Sequence, residues 1–146
     1  MVDELGLEDE PDADTPYQIG SAATDRVSIP IDLNDFPKVV GLLMFAVTRT
    51  RPDIAFITSS LATKVSSLRT DDMHAALYVV RYLKRTPNLG ITFSYNGPIE
   101  LHAFVDASYN CRPDAKGHSG MIFTLGEHDA AVVAKSQKQG MVSRSS

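Results

Sequence analysis

Asp106 ends the run Leu101-His102-Ala103-Phe104-Val105-Asp106 and opens the string Asp106-Ala107-Ser108-Tyr109. A carboxylate at a strand end suits metal-ion phosphodiester chemistry, which uses several carboxylates to hold two divalent ions ~3.5–4 Å apart. One acid is not such a set. The plain alternative is an acid at a strand-to-loop junction whose oxygen caps the next turn. His118, just before Ser119-Gly120, could be a ligand or base, or a loop hydrogen-bonder. Cys111 has Arg112 beside it, a neighbour that favours thiolate, yet no His–Asp partner pattern surrounds it to make a nucleophile. His74 and His102 read as exposed polar positions. Lys135, Gln137, Lys138 and Gln139 could contact a phosphate backbone, or form a solvated tail. Gly-rich phosphate loops and paired-cysteine metal motifs are absent.

The 146 residues fit one domain or two small units, and a 43% hydrophobic fraction is enough for a modest core. A single cysteine excludes an internal disulfide framework and points to a reducing compartment, cytoplasmic or nuclear. No apolar run approaches the ~18–20 residues of a membrane span, and the acidic N-terminus is not a signal peptide. The net charge of −4 conceals an asymmetry. Residues 1–14 hold seven acids and no Lys or Arg; taken from 18 acids, these leave 11 against 14 basic residues, so the body is near +3. That is a small footprint for nucleic-acid binding.

Residues 1–28 read as an acidic, disordered leader, with no apolar period. A helical block follows over 29–89. Asn34 or Asp35 can cap a first helix near 36–48, with Pro37 in its first turn. Its run Val39–Val47 is apolar all round, which predicts a central helix. A second, near 53–67, carries Ile54, Ile57, Leu61 and Val65 at spacings of three and four. A third, near 71–86, carries Met73, Ala76, Leu77, Val80 and Leu83, has Arg81, Lys84 and Arg85 at its C-terminal end, and stops at Pro87. The apolar period then changes from 3.6 to 2. Ile91, Phe93 and Tyr95 lead to a hairpin signal at Asn96-Gly97, and Ile99 to Asp106 alternates. Met121–Leu125 and Ala130–Ala134 read as further strands, with Gly126–Asp129 as the turn and the tail from Lys135 without periodicity. The expected class is α+β, a three-helix block followed by a three- to four-stranded antiparallel sheet over 90–146.

Several strings in order carry a resemblance. Phe36–Ala46 with Thr50-Arg51-Pro52-Asp53-Ile54-Ala55-Phe56, then Val80-Arg81-Tyr82-Leu83-Lys84-Arg85-Thr86-Pro87-Asn88-Leu89-Gly90-Ile91, resemble the segment after the reverse-transcriptase palm in copia-type retrotransposon polyproteins. Asp106–Tyr109, Pro113-Asp114, Lys116–Gly120, Thr124-Leu125-Gly126, Ser136–Gln139 and Ser143–Ser146 resemble the beginning of that family's RNase H domain. The likeness covers about 17–146. It implies that Asp106 matches the first metal-binding carboxylate of an RNase H-like fold, with Mg²⁺ as the ion and an RNA–DNA hybrid as substrate. It also implies that the next carboxylate falls just beyond Ser146, so that the chain holds a truncated domain that is inactive alone. Gln137 and Gly140 stand where the family usually has basic residues. The alternative is a repurposed or decayed non-enzymatic domain that binds nucleic acid or protein. A sheet cut short in this way would also expose edges and one apolar face, inviting self-association.

Overall fold

The computed structural model describes residues 2–17, 28–93, 99–108, 117–126 and 130–140. Three helices come first: α1 (Phe36–Arg49), α2 (Ala55–Ala62) and α3 (Thr70–Arg85). Three strands follow: β1 (His102–Ser108), β2 (His118–Thr124) and β3 (Ala131–Lys138), paired antiparallel in the order β1-β2-β3. The class is α+β, as the change of period predicts.

Local chemistry explains the helix ends. The Asp32 carboxylate accepts from the Asn34 backbone N–H at 2.8 Å and caps the turn leading into α1, a role the sequence placed on Asn34 or Asp35. Pro37 occupies the first turn, where its missing N–H costs nothing. At α3 the Asp72 carboxylate reaches back to the Arg69 N–H at 2.9 Å, satisfying a donor that the helix cannot. The second helix is shorter than expected: a 3₁₀ turn covers Pro52–Ile54, α2 ends at Ala62, and Val65 lies 47% exposed.

The central helix is α3, not α1. On α1, Phe36, Val39, Val40 and Leu43 are buried, while Phe45 is 63% exposed under the Arg49 guanidinium, 5.4 Å from the ring centre. On α3 the expected stripe of Met73, Ala76, Leu77 and Val80 is buried, and so are Tyr78, Val79, Arg81 and Tyr82 on its other side. The acidic leader covers that second side. Residues 2–17 were expected to be solvated. Instead Leu7 is fully buried and Ala13 is 2% exposed, both within the helical core.

The sheet also departs from expectation in detail. Residues 91–93 form no strand, and the Asn96-Gly97 turn lies outside the described residues, as does the 127–129 part of the later turn. The first strand runs past Asp106 to Ser108, and β3 continues through Lys135 to Lys138. The reason is visible in β3: Ala134, Ser136 and Lys138 alternate with Val133, Lys135 and Gln137, so neither face is consistently apolar and the pattern hides a strand. Gly117 closes one end. Its carbonyl accepts from the Gln139 N–H at 2.9 Å, and a Cβ there would lie 2.6 Å from the Ser108 carbonyl oxygen. Among the described residues no helix is long and apolar enough to cross a membrane.

Candidate functional site

Register places Asp106. It pairs with Gly120, which pairs with Ser136; the next row is Ser108, His118 and Lys138, and the row on the other side is Phe104, Ile122 and Ala134. Directly paired side chains share a face, so these rows form one surface. This surface looks toward α2. The His118 ring meets Phe56 edge-on at 4.9 Å, and its Nε2 lies 2.6 Å from Ser136 Oγ. Phe56 in turn contacts Tyr17 at 5.4 Å. Only 5% of His118 is exposed, so it is a packed, hydrogen-bonded strand residue rather than a loop group.

Between this surface and the Pro52–Phe56 segment runs a crevice of about 320 Å³, lined by Asp53, Phe56, Phe104, Asp106, Ile122 and Ser136 among others. Gly120 leaves open space between Asp106 and Ser136, because a Cβ there would meet nothing within 4 Å. Asp106 itself is exposed, and its Oδ1 accepts the Ala107 N–H at 2.9 Å. The acid therefore borders the crevice and accepts its neighbour's backbone N–H from within β1, rather than at the strand-to-loop junction that the sequence suggested.

The crevice holds a second carboxylate, Asp53, which sequence reasoning assigned only to a helix start. Arg51 donates to Asp53 through Nε at 3.0 Å and Nη2 at 2.8 Å, and the Tyr82 hydroxyl donates at 2.9 Å. The same guanidinium donates to the Thr86 carbonyl at 2.9 Å and hydroxyl at 2.8 Å, and it lies over the Tyr82 ring. Burial alone would raise the Asp53 carboxyl, but the Arg51 and Tyr82 hydrogen bonds and the Arg51 charge outweigh it and hold the carboxyl below its ordinary value. Hydrogen bonding to Asp53 in turn raises Arg51 against its own desolvation, and burial, then Asp53, raises Tyr82. These groups form a lock tying the start of α2 to the end of α3. The Asp53 oxygens are committed to it.

The residues present do not fit a two-ion centre. Among the described residues no three His, Cys, Asp or Glu side chains gather closely enough to hold even one metal ion. Glu100 lies 3.6 Å from His102 Nε2, at the entry to β1. Cys111 and Asp114 lie outside the described residues. The proposed backbone-contacting residues do not converge. Lys135 belongs to the row Val105-Met121-Lys135, of opposite side-chain direction to the Asp106 row though it also borders the crevice; Lys138 shares the row of Ser108 and His118, and Gln139 donates to Ser119 Oγ at 2.9 Å.

Known proteins supply the context. The chain is 31% identical over 108 residues to the retrovirus-related Pol polyprotein of transposon RE1 from Arabidopsis thaliana, covering 73% of this chain and 7% of the polyprotein. It is 30% identical over 116 residues to the uncharacterized mitochondrial protein AtMg00810 of the same plant, covering 79% of this chain and 47% of that one. It is 31% identical over 108 residues to secreted RxLR effector protein 161 of Plasmopara viticola, covering 73% of this chain and 75% of that one. No family model and no solved structure matches the chain. The chain belongs to a sequence family shared with transposon-borne, retrovirus-related Pol polyproteins, and it aligns with one short segment of them.

Proposed function

We propose that the chain is a copia-type Pol segment comprising the helical block after the polymerase palm and the first strands of an RNase H-like domain. In a complete domain Asp106 would be one carboxylate of the set that holds Mg²⁺ for cleavage of the RNA strand of an RNA–DNA hybrid. The observation that carries this reading is the position of Asp106. It lies on β1, on the sheet face that borders the crevice, beside a glycine that leaves room at the carboxylate. The Pol relatives support the polyprotein context.

A chimera tests it. The whole chain, including the leader that packs into the helical core, is joined to the stretch of the RE1 polyprotein that follows the matched segment. The chimera should cleave an RNA–DNA hybrid with Mg²⁺, and Asp106→Asn should abolish that cleavage. A folded chimera whose cleavage is indifferent to Asp106→Asn contradicts the reading.

A second reading has one observation in its favour: the chain covers 75% of the length of the oomycete relative, so this family includes proteins of comparable size. Under it the chain is a non-enzymatic domain that binds nucleic acid or protein. Binding to a hybrid that weakens steeply with salt, without metal-dependent cleavage by the chimera, would favour it.

A further inference from the structure

The acidic leader occupies a built seat on α3. Gly6 takes a left-handed conformation at φ 64°, which turns the chain after the Asp3–Leu5 3₁₀ turn so that Leu7 enters the core. Lys84 then gathers the peptide that follows. Its Nζ donates to the carbonyls of Leu7 at 3.2 Å, Glu8 at 2.9 Å and Glu10 at 2.7 Å, and pairs with Asp12 at 3.3 Å. One turn earlier, Arg81 Nε donates to the Pro11 carbonyl, and Ala13 is buried just beyond. Arg85 pairs with Asp14 at 3.0 Å in a largely exposed bridge, which contributes little by itself.

The chemistry of this seat is that of peptide recognition. An apolar socket takes a leucine, one ammonium satisfies three converging backbone carbonyls, and a cationic end of a helix meets carboxylates. Phosphate binding would use the cations but leave the leucine socket empty. We propose that the C-terminal half of α3 is a docking surface for acidic, leucine-bearing peptide segments, and that the chain's own leader is its resident occupant. A second acidic segment then gains access only when the leader is displaced. Because part of the attraction is between charges at the surface, docking in trans weakens with salt.

The test uses the full chain and a fluorescein-labelled peptide of residues 2–17, followed by anisotropy at low salt. Leu7→Asp removes the leader's apolar anchor, and it should bind the peptide at least about tenfold more tightly than wild type. Adding Lys84→Gln should reverse that gain, and raising salt to about 0.5 M should weaken binding. Should Leu7→Asp lose its helical circular dichroism, the double variant Asp12→Asn with Asp14→Asn leaves the apolar packing intact and should show a smaller gain in the same direction. Equal affinity in wild type and in a folded leader variant would overturn the proposal, as would a gain indifferent to Lys84→Gln. Tighter binding of a single-stranded oligonucleotide than of the peptide would also overturn it, by showing a nucleic-acid surface instead.

Discussion

Asp53 illustrates how a motif residue can lie in a crevice without belonging to its chemistry. Its oxygens accept from Arg51 and Tyr82, and Arg51 is only 6% exposed. Removing the guanidinium in Arg51→Ala would leave the Thr86 carbonyl and the Asp53 carboxylate short of donors, and should cost about 1–3 kcal/mol in chemical denaturation. The lock also sets a pH dependence. A carboxyl held below its ordinary value of 3.8 contributes stability above its unfolded pKa and loses it as pH falls through the lower folded value. Wild type should therefore be more stable than Asp53→Asn at neutral pH, and the two stabilities should converge as pH drops below about 4. A gap that persists unchanged into strong acid would show that the lock is not electrostatic. Sequence alone singled out Asp106, because a lone acid closing an alternating run stands out. It could not expose the pairing of Asp53 with Tyr82, which are 29 positions apart and share no periodic pattern.

The helices were legible because each has a 3.6-residue apolar stripe that must face something. Leu77 is 1% exposed within that stripe of α3. Leu77→Asp would bury an unpaired carboxylate at a cost of several kcal/mol, comparable to the margin of a small domain, and should abolish the cooperative melt. An unchanged melting temperature would place this face in solvent. Buried Thr58 offers the opposite test. Its hydroxyl has no partner among the described residues, so Thr58→Val should be neutral or stabilising by up to about 1 kcal/mol. What the pattern concealed has physical causes. The leader's acids surround Leu7 and Ala13 so completely that no apolar period survives, and the only available hint was the opposite charge gathered at Arg81, Lys84 and Arg85. The C-terminal half of β3 borders a crevice rather than a packed core, so Ser136 and Lys138 stand on the inward face and erase the alternation. His118 was ambiguous for the same reason: its partners Phe56 and Ser136 come from a helix and a strand far along the chain.

At the scale of the molecule, the helical block has a core and the sheet has little cover. Val105 is 70% exposed on β1, Phe104 51%, and Val133 on β3 50%. Among the described residues both outer strands of the three-stranded sheet have a backbone edge with no neighbouring strand, a template for pairing with another chain. Sedimentation should show self-association that grows with concentration, and a clean monomer at high concentration would count against an adhesive sheet. Asp106 reaches the crevice without a second uncommitted carboxylate among the described residues, and one acid cannot hold two cations together against their repulsion or fix a water in line. The most direct measurement is hydrolysis of a labelled RNA–DNA hybrid by the purified 146-residue chain with Mg²⁺ or Mn²⁺, beside Asp106→Asn. The account predicts no cleavage above that control. Cleavage by wild type that disappears in Asp106→Asn would contradict it.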